Sequence, residues 1–294
     1  MNTKIKNNTV LIAAILLACG TIASLDAGAR ERGRSVQRTG NVHEGSVSRQ
    51  RDNARGESDR TRDWQRDGQG NASGSTSRDV TGANGGSAER QGSYERNADG
   101  SASHQGSMSA TGKNGGTMES SGSTTRDADG NVSGSRTTSA TGKNGGTYNG
   151  STTWENGEVT HTGTVTGANG GTSQTNGSYT RGDDGKFDGS RTTTATGAKG
   201  GTYNGTTTLD DGQVTHTGTR TGANGGTIQS EGSYSRGEDG KVDGSRSSTA
   251  TGANGATYNG STTIDDGQVT HTGTCTNSAG ETVDCPTRSD DDGQ

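Results

Sequence analysis

The side chains that could bind a metal recur with a fixed period. His161, His216 and His271 are spaced by 55 residues. If each occupies the same position in a repeat of four strands, neighbouring copies lie about 19 Å apart at about 4.8 Å per strand. No single ion could bridge that distance. We therefore expect these histidines to be polar surface residues, with no metal and no cofactor bound.

Acidic pairs offer a second kind of candidate ligand. They are Asp183-Asp184, Asp210-Asp211 and Asp265-Asp266, and Asp127 and Asp129 form a similar pair. A calcium loop also needs further spaced oxygens and a late glutamate. Since the second Asp of each pair precedes a glycine, we interpret these residues as turn formers. No serine lies in a nucleophile elbow, and the Gly-Gly steps do not open helices, so the sequence predicts no catalytic residue and no enzyme.

Residues 1–29 have the composition of an export signal. A basic start precedes an apolar run, Val10–Leu17, that is too short to span a bilayer, and Ala27-Gly28-Ala29 is a small-x-small cleavage site. An alternative is a lipoprotein signal, because Leu-Leu-Ala-Cys ending at Cys19 resembles a lipobox and would place a lipid on that cysteine. A third alternative is an uncleaved anchor. Each predicts export to the periplasm, the cell surface or the extracellular space.

Two cysteines remain after the signal, Cys275 and Cys285. In an oxidising compartment an even number of cysteines favours a disulfide over free thiols or a metal site. We predict that residues 277–294 form a disulfide-linked terminal hairpin followed by the acidic tail Asp290–Asp292.

The composition excludes a thick hydrophobic core. Hydrophobic residues make up 21% of the chain, and 54 of its 294 residues are glycine. Such a chain would ordinarily be disordered, but the net charge is only −5 and turn signals recur regularly. We therefore expect a repeat protein whose stability comes from pairing between neighbouring strands.

The repeat region, residues 80–276, alternates two kinds of turn. TG-x-x-GG turns start at Thr81, Thr111, Thr141, Thr166, Thr196, Thr221 and Thr251, the last with alanine in place of the final glycine, and a degenerate copy starts at Thr276. Asp-Gly or Asn-Gly steps lie between them, and Asn156-Gly157 has the sequence of a type I′ hairpin turn. From Thr141 onwards the period is 55 residues and four strands. The predicted fold class is all-β: a long antiparallel meander of about fourteen strands, free to curl or double over.

Glycines within the strands predict how the strands pair. Successive glycines, such as Gly205 and Gly218, are placed symmetrically about the intervening turn, so we expect them to align in one row. Counting by twos from that row puts the apolar and aromatic residues on the glycine side and threonine on the other. The expected cross-strand pairs are Leu209–Val214, Ile264–Val269, Tyr179–Phe187 and Tyr234–Val242.

Residues 30–79 differ from the repeats. From Arg30 to Val80 there are eleven arginines, no lysine and eight acidic residues. The segment is either an arm for anionic partners, such as acidic polysaccharide or lipid headgroups, or else a solvated linker or decayed repeats. Because arginine is interleaved with Asp and Glu, we favour a linker or decayed repeats and predict an irregular or disordered segment.

The hairpin from Thr147 to Gly163 resembles membrane occupation and recognition nexus (MORN) repeats. The resemblance rests on Tyr148-x-Gly150, Trp154, Asn156-Gly157 and Gly163, and extends to the copies at 202–218 and 257–273. Leu209 and Ile264 replace the tryptophan there, and the Gly-x-Gly step of the family is absent. It implies an antiparallel hairpin array that acts as an interaction scaffold.

The functional hypothesis is an exported, non-catalytic β-repeat scaffold at the cell surface or in the extracellular matrix. Its expected partners are polysaccharide or other envelope components, with self-association through unpaired sheet edges and a membrane only if Cys19 is lipidated. A competing hypothesis is a glycan-binding or adhesive module in which Tyr148, Trp154, Tyr203 and Tyr258 stack on sugars, although these rings could instead cover glycine. The composition also permits an amyloid-like fibre, and the threonine face permits binding to ice or another crystal surface. Net charge and export argue against nucleic acid.

Overall fold

A computed structural model describes residues 29–182, 185–237 and 240–285. These residues form strands and turns, with no helix, so the predicted all-β antiparallel meander is confirmed. Four predicted features lie largely or wholly outside the described residues: the signal peptide 1–29, the lipidation site Cys19, the pair Asp183-Asp184 and the tail Asp290–Asp292.

The chain divides into two units between Asn156 and Gly157. In each unit every strand pairs antiparallel with its neighbour in sequence. The first unit contains β1 (Ala29–Thr39), β2 (Val42–Asn53), β3 (Gly56–Arg66), β4 (Ala72–Gly82), β5 (Ser87–Arg96), β6 (Ala102–Thr111), β7 (Thr117–Arg126), β8 (Val132–Thr141) and β9 (Thr147–Glu155). The second contains β10 (Glu158–Thr166), β11 (Thr172–Arg181), β12 (Phe187–Thr196), β13 (Thr202–Asp210), β14 (Gln213–Thr221), β15 (Thr227–Arg236), β16 (Val242–Thr251), β17 (Thr257–Asp265), β18 (Gln268–Thr276) and β19 (Thr282–Val283).

The strand count of the repeat region is as predicted, since β5–β18 are its fourteen strands. The prediction for residues 30–79 was wrong. This segment forms β1–β3 and most of β4, paired in register without a break. Alternating Arg with Asp or Glu was taken as a sign of a linker, but alternation with a period of two is also the pattern of a strand with two different faces.

The described strands of each unit form a single layer. Within each unit a strand contacts only the strands before and after it in sequence. Among the described residues, the only buried hydrophobic ones are Ala140 and Cys275, whereas Phe187 is 53% exposed and Val269 is 67% exposed. Within each unit, the described part of the sheet therefore does not double over to hide its aromatic side. Its stability must come from backbone pairing and cross-strand contacts.

The described turns of the repeat region are of two types. At Asn156-Gly157, Asp211-Gly212 and Asp266-Gly267 both residues have positive φ, from 48° to 84°, which confirms the predicted type I′ turn. The TG-x-x-GG turns have three-residue loops. In the first of them the Gly82 amide donates to the Gly86 carbonyl (2.7 Å) and Gly85 adopts a φ of 82°. The degenerate copy at Thr276 has the same geometry, with the Asn277 amide donating to the Glu281 carbonyl (2.9 Å).

The observed pairing of the strands corrects the predicted row of facing glycines. Glycine faces glycine at Gly205–Gly218, as predicted, and at Gly92–Gly106, Gly106–Gly122 and Gly260–Gly273. At the other turns within a unit, the glycines are displaced by two or four residues, because they are not placed symmetrically about the centre of the three-residue loop. The displacement is always even, so the glycines stay on one side of the sheet and the predicted sorting of side chains between faces holds.

The same displacement determines which of the predicted side-chain pairs face each other across strands. Leu209 faces Val214 and Ile264 faces Val269, as predicted. The pairs Tyr179–Phe187 and Tyr234–Val242 were wrong, since Tyr179 faces Gly189 and Tyr234 faces Gly244. A ring therefore lies opposite a glycine where the sequence analysis placed it opposite another apolar side chain.

The C-terminal hairpin is closed covalently. Cys275 and Cys285 form a disulfide with their Cα atoms 5.2 Å apart. Cys275 lies on β18 opposite Val283 of the two-residue strand β19. The disulfide thereby holds the last short strand against the sheet.

Candidate functional site

Aromatic rings lie directly over glycines. A Cβ added to Gly134 would lie 2.5 Å from Cζ2 of Trp154, and one added to Gly74 would lie 2.6 Å from Cε1 of Tyr94. Gly45 would likewise come within 2.6 Å of the ring of Trp64. A ring that covers glycine shields exposed backbone from water, which strengthens a strand that glycine would otherwise weaken.

The four predicted stacking residues take part in this arrangement. Trp154 covers Gly134, and the hydroxyls of Tyr148, Tyr203 and Tyr258 reach over Gly150, Gly205 and Gly260, each two residues further along the same strand. All four rings are half-buried. They lie on the same side of their own unit, and their role in glycan stacking stays a prediction. We call this side of each unit the ring face.

His216 and His271 each have a hydrogen-bond partner at both ring nitrogens. His216 Nδ1 is 2.8 Å from Oγ1 of Thr207, and its Nε2 is 3.4 Å from the hydroxyl of Tyr203. His271 makes the equivalent contacts with Thr262 (2.9 Å) and Tyr258 (2.9 Å). The two histidines lie on β14 and β18, four strands apart. Within the described residues, no group of three or more His, Cys, Asp or Glu could hold a metal.

The described acidic pairs belong to turns. Asp211 and Asp266 occupy the first position of type I′ turns, where Asp188 and Asp243 accept hydrogen bonds from their backbone amides (2.9 and 2.8 Å). The Asp211 and Asp266 carboxylates also pair with Lys186 and Lys241 respectively, the second pair at 3.2 Å. These contacts fix the ends of the hairpins.

The opposite side of each unit, the hydroxyl face, carries regular rows of Thr and Ser. In the second unit one row contains a threonine on every strand, each directly opposite the next: Thr166, Thr172, Thr196, Thr202, Thr221, Thr227, Thr251, Thr257, Thr276 and Thr282. These residues flank the TG-x-x-GG turns. Neighbouring hydroxyls can bond across strands, as Thr257 and Thr276 do at 2.7 Å.

In the first unit the hydroxyl face has shallow grooves. One, of about 660 Å³, is lined mainly by serine, by glutamine and by the acids Glu44, Asp63 and Glu95. A second, of about 840 Å³, is lined mostly by serine with Gln91 and Gln105. Hydroxyl and carboxamide groups in such grooves can donate and accept hydrogen bonds.

The charges are separated between the two faces. In each unit, every arginine and histidine within a strand lies on the ring face and every Asp or Glu within a strand lies on the hydroxyl face. In β3, for example, Arg60, Arg62 and Arg66 share the ring face with Trp64, whereas Glu57, Asp59 and Asp63 point the other way. Among the described residues, lysine occurs only in turns.

Sequence reasoning missed this separation although the signal was present. Only the repeat region was sorted by twos, so alternation between Arg and acid in residues 30–79 was interpreted as solvation. Counting by twos along the strands from Gly45 and Trp64 would have placed the arginines on one face and the acids on the other.

The chain was also compared with known proteins. No protein-family model matches it, and neither the curated proteins nor the solved structures contain a significant match. The resemblance to MORN repeats therefore stays a prediction. Among the described residues there is no helix that could cross a membrane.

Proposed function

We propose that this protein is an exported, non-catalytic scaffold of the cell surface or extracellular matrix. Each of its two units presents a layer of β-strands whose two faces differ in charge and hydrogen-bonding character. The observation that carries the proposal is the strict division of charge between the faces, in a sheet that has almost no buried side chains.

Several features support a structural role over catalysis. His216, His271, Asp211 and Asp266 are held in hydrogen bonds or ion pairs that repeat with the sequence, and they do not converge on a cavity. The grooves of the first unit are shallow and lined by side chains of low reactivity. Extended, repetitive faces suit many weak contacts made at once, which is how a scaffold gains affinity.

Export is tested by finding the mature protein and its N-terminus. The protein is expressed in a Gram-negative host, the cells are fractionated, and the mature form is identified by mass spectrometry. We expect the protein outside the cytoplasm, either starting at Arg30 or carrying a lipid on Cys19. A full-length chain confined to the cytoplasm would contradict the proposal, and a Cys19→Ser variant separates the two processing routes.

A second candidate function, binding to ice or another crystal surface, is favoured by the threonine row of the second unit. Ten consecutive strands each place a threonine in that row at about 4.8 Å per strand. Thermal hysteresis of the purified protein tests it, with Thr202→Lys and Thr227→Lys as variants that interrupt the row. Ice growth that is unaffected by the wild-type protein would exclude this candidate.

A further inference from the structure

Strands β1–β5 carry like charges in direct opposition. On the ring face, Arg32, Arg49, Arg60, Arg78 and Arg90 form an unbroken ladder in which each arginine faces the next across neighbouring strands. All five are exposed. No ion pair in the described part of the chain reaches any of them. Like charges directly opposite one another destabilise a sheet, so this ladder needs an anionic partner from outside it.

The hydroxyl face carries the complementary ladder on the same strands. Glu31, Gln50, Asp59, Asp79 and Glu89 face one another in turn, and four of the five are acidic. Each lies next in sequence to an arginine of the first ladder. The two ladders therefore run parallel on opposite faces, offset by one residue, or about 3.3 Å, along the strands.

We propose that the partner of this surface is a second copy of the same chain, stacked face to face. The acidic ladder of one copy lies over the arginine ladder of the next, at the separation of about 10 Å typical of packed sheets. This inference names the partner of the scaffold proposed above. Only its biological setting rests on the proposed function.

Charge complementarity favours a second copy over an anionic polymer. A polyanion would neutralise the arginine ladder but would leave the acidic ladder unpaired. A second copy neutralises both ladders, and β1–β5 as a group are richer in both arginine and acid than the later strands. Because one copy uses its ring face and the other its hydroxyl face, the contact is heterologous, and it can continue into an open stack of many copies.

The test uses the purified full chain and two charge-reversed variants. Arg60→Glu with Arg78→Glu reverses two positions of the arginine ladder, so the ladder positions of β3–β4 become negative on both faces. Asp59→Arg with Asp79→Arg reverses the acidic ladder instead, so these positions become positive on both faces. Sedimentation velocity at low and high salt reports the assembly state, and circular dichroism confirms that each variant keeps its β structure.

We expect the wild-type chain to associate with rising concentration, and added salt to weaken that association because salt screens the contact. Each reversed variant alone should remain at least ten times less associated than the wild type. Their equimolar mixture should assemble, since negative faces then meet positive ones. Should a reversed variant not fold, Arg60→Gln with Arg78→Gln replaces it and should reduce association.

Two results would overturn the inference. One is a wild-type chain that stays monomeric at low salt up to millimolar concentration. The other is a monomer that binds a polyanion, such as dextran sulfate, and loses that binding with Arg60→Glu and Arg78→Glu, which would assign the ladder to an anionic polymer. Both are measured on purified protein, so failure here is distinguishable from failure of the export experiment.

Discussion

Replacing Gly134 with alanine tests whether the aromatic rings and the neighbouring backbone leave space for a side chain at the strand glycines. A Cβ at this position would lie 2.5 Å from Cζ2 of Trp154 and nearer still to the carbonyl oxygen of Ser123 on β7. Since the second contact is with backbone, a side-chain rotation cannot relieve it. Overpacking of this kind costs about 1–3 kcal/mol.

Gly106→Ala is the matched control. The Cβ there meets the Gln91 carbonyl oxygen at 3.5 Å and Nε2 of His104 at 3.8 Å, which are ordinary contacts. By restricting the unfolded chain, this substitution should stabilise the protein by about 0.4–1 kcal/mol. The two variants should therefore differ by about 1.5–4 kcal/mol, although both replace a strand glycine on the ring face.

Amide hydrogen exchange is the appropriate assay, because a repeat sheet opens locally and a single unfolding midpoint would average over it. Exchange should accelerate on β7–β9 in Gly134→Ala and slow on β5–β7 in Gly106→Ala. Equal protection in the two variants would refute the reasoning that steric closure, rather than strand propensity, selects glycine at position 134.

Three further predictions follow from the turns and the terminal disulfide. Gly225→Ala forces a side chain into a φ of 86° and should destabilise the β14–β15 hairpin by about 1–2 kcal/mol, measured as faster amide exchange there. Reducing Cys275–Cys285 should remove roughly 3 kcal/mol of local stability and release β19 while β14–β17 stay protected, as exchange with and without reductant will show. The pKa of Asp67 is lowered from 3.8, chiefly because the Asn71 side chain donates a hydrogen bond to the carboxylate. The stabilisation from this carboxylate is therefore present above pH 3.8 and lost as pH falls through the lowered value, and a carboxyl NMR titration midpoint at or above 3.8 would contradict the hydrogen bond.

Much of the fold could be predicted because its signals are local. Asn156-Gly157 and Asp211-Gly212 specify their turns through residues that tolerate positive φ, and alternation sorts residues between faces wherever a strand is recognised. Register could not be predicted in the same way. Symmetry between glycines suggested that Gly189 faces Gly205, whereas the three-residue loop places Gly189 opposite Leu209.

The threonine row and the charge ladders become visible only when the pairing of neighbouring strands is known. A single segment of the sequence does not show that pairing. The threonine row emerges only when Thr202 is seen opposite both Thr196 and Thr221. The charge ladders likewise depend on the pairing of Arg60 with Arg78, which are separated by a turn without a regular repeat signature.

The pairing of β3 with β4 tests the central claim most directly. Cross-strand nuclear Overhauser effects between backbone protons report which residues lie opposite each other. The structure predicts Arg60 opposite Arg78 and Asp59 opposite Asp79. A register shifted by one residue would place Arg60 opposite Asp79, join the two signs of charge within one face, and contradict the separation on which both proposals depend.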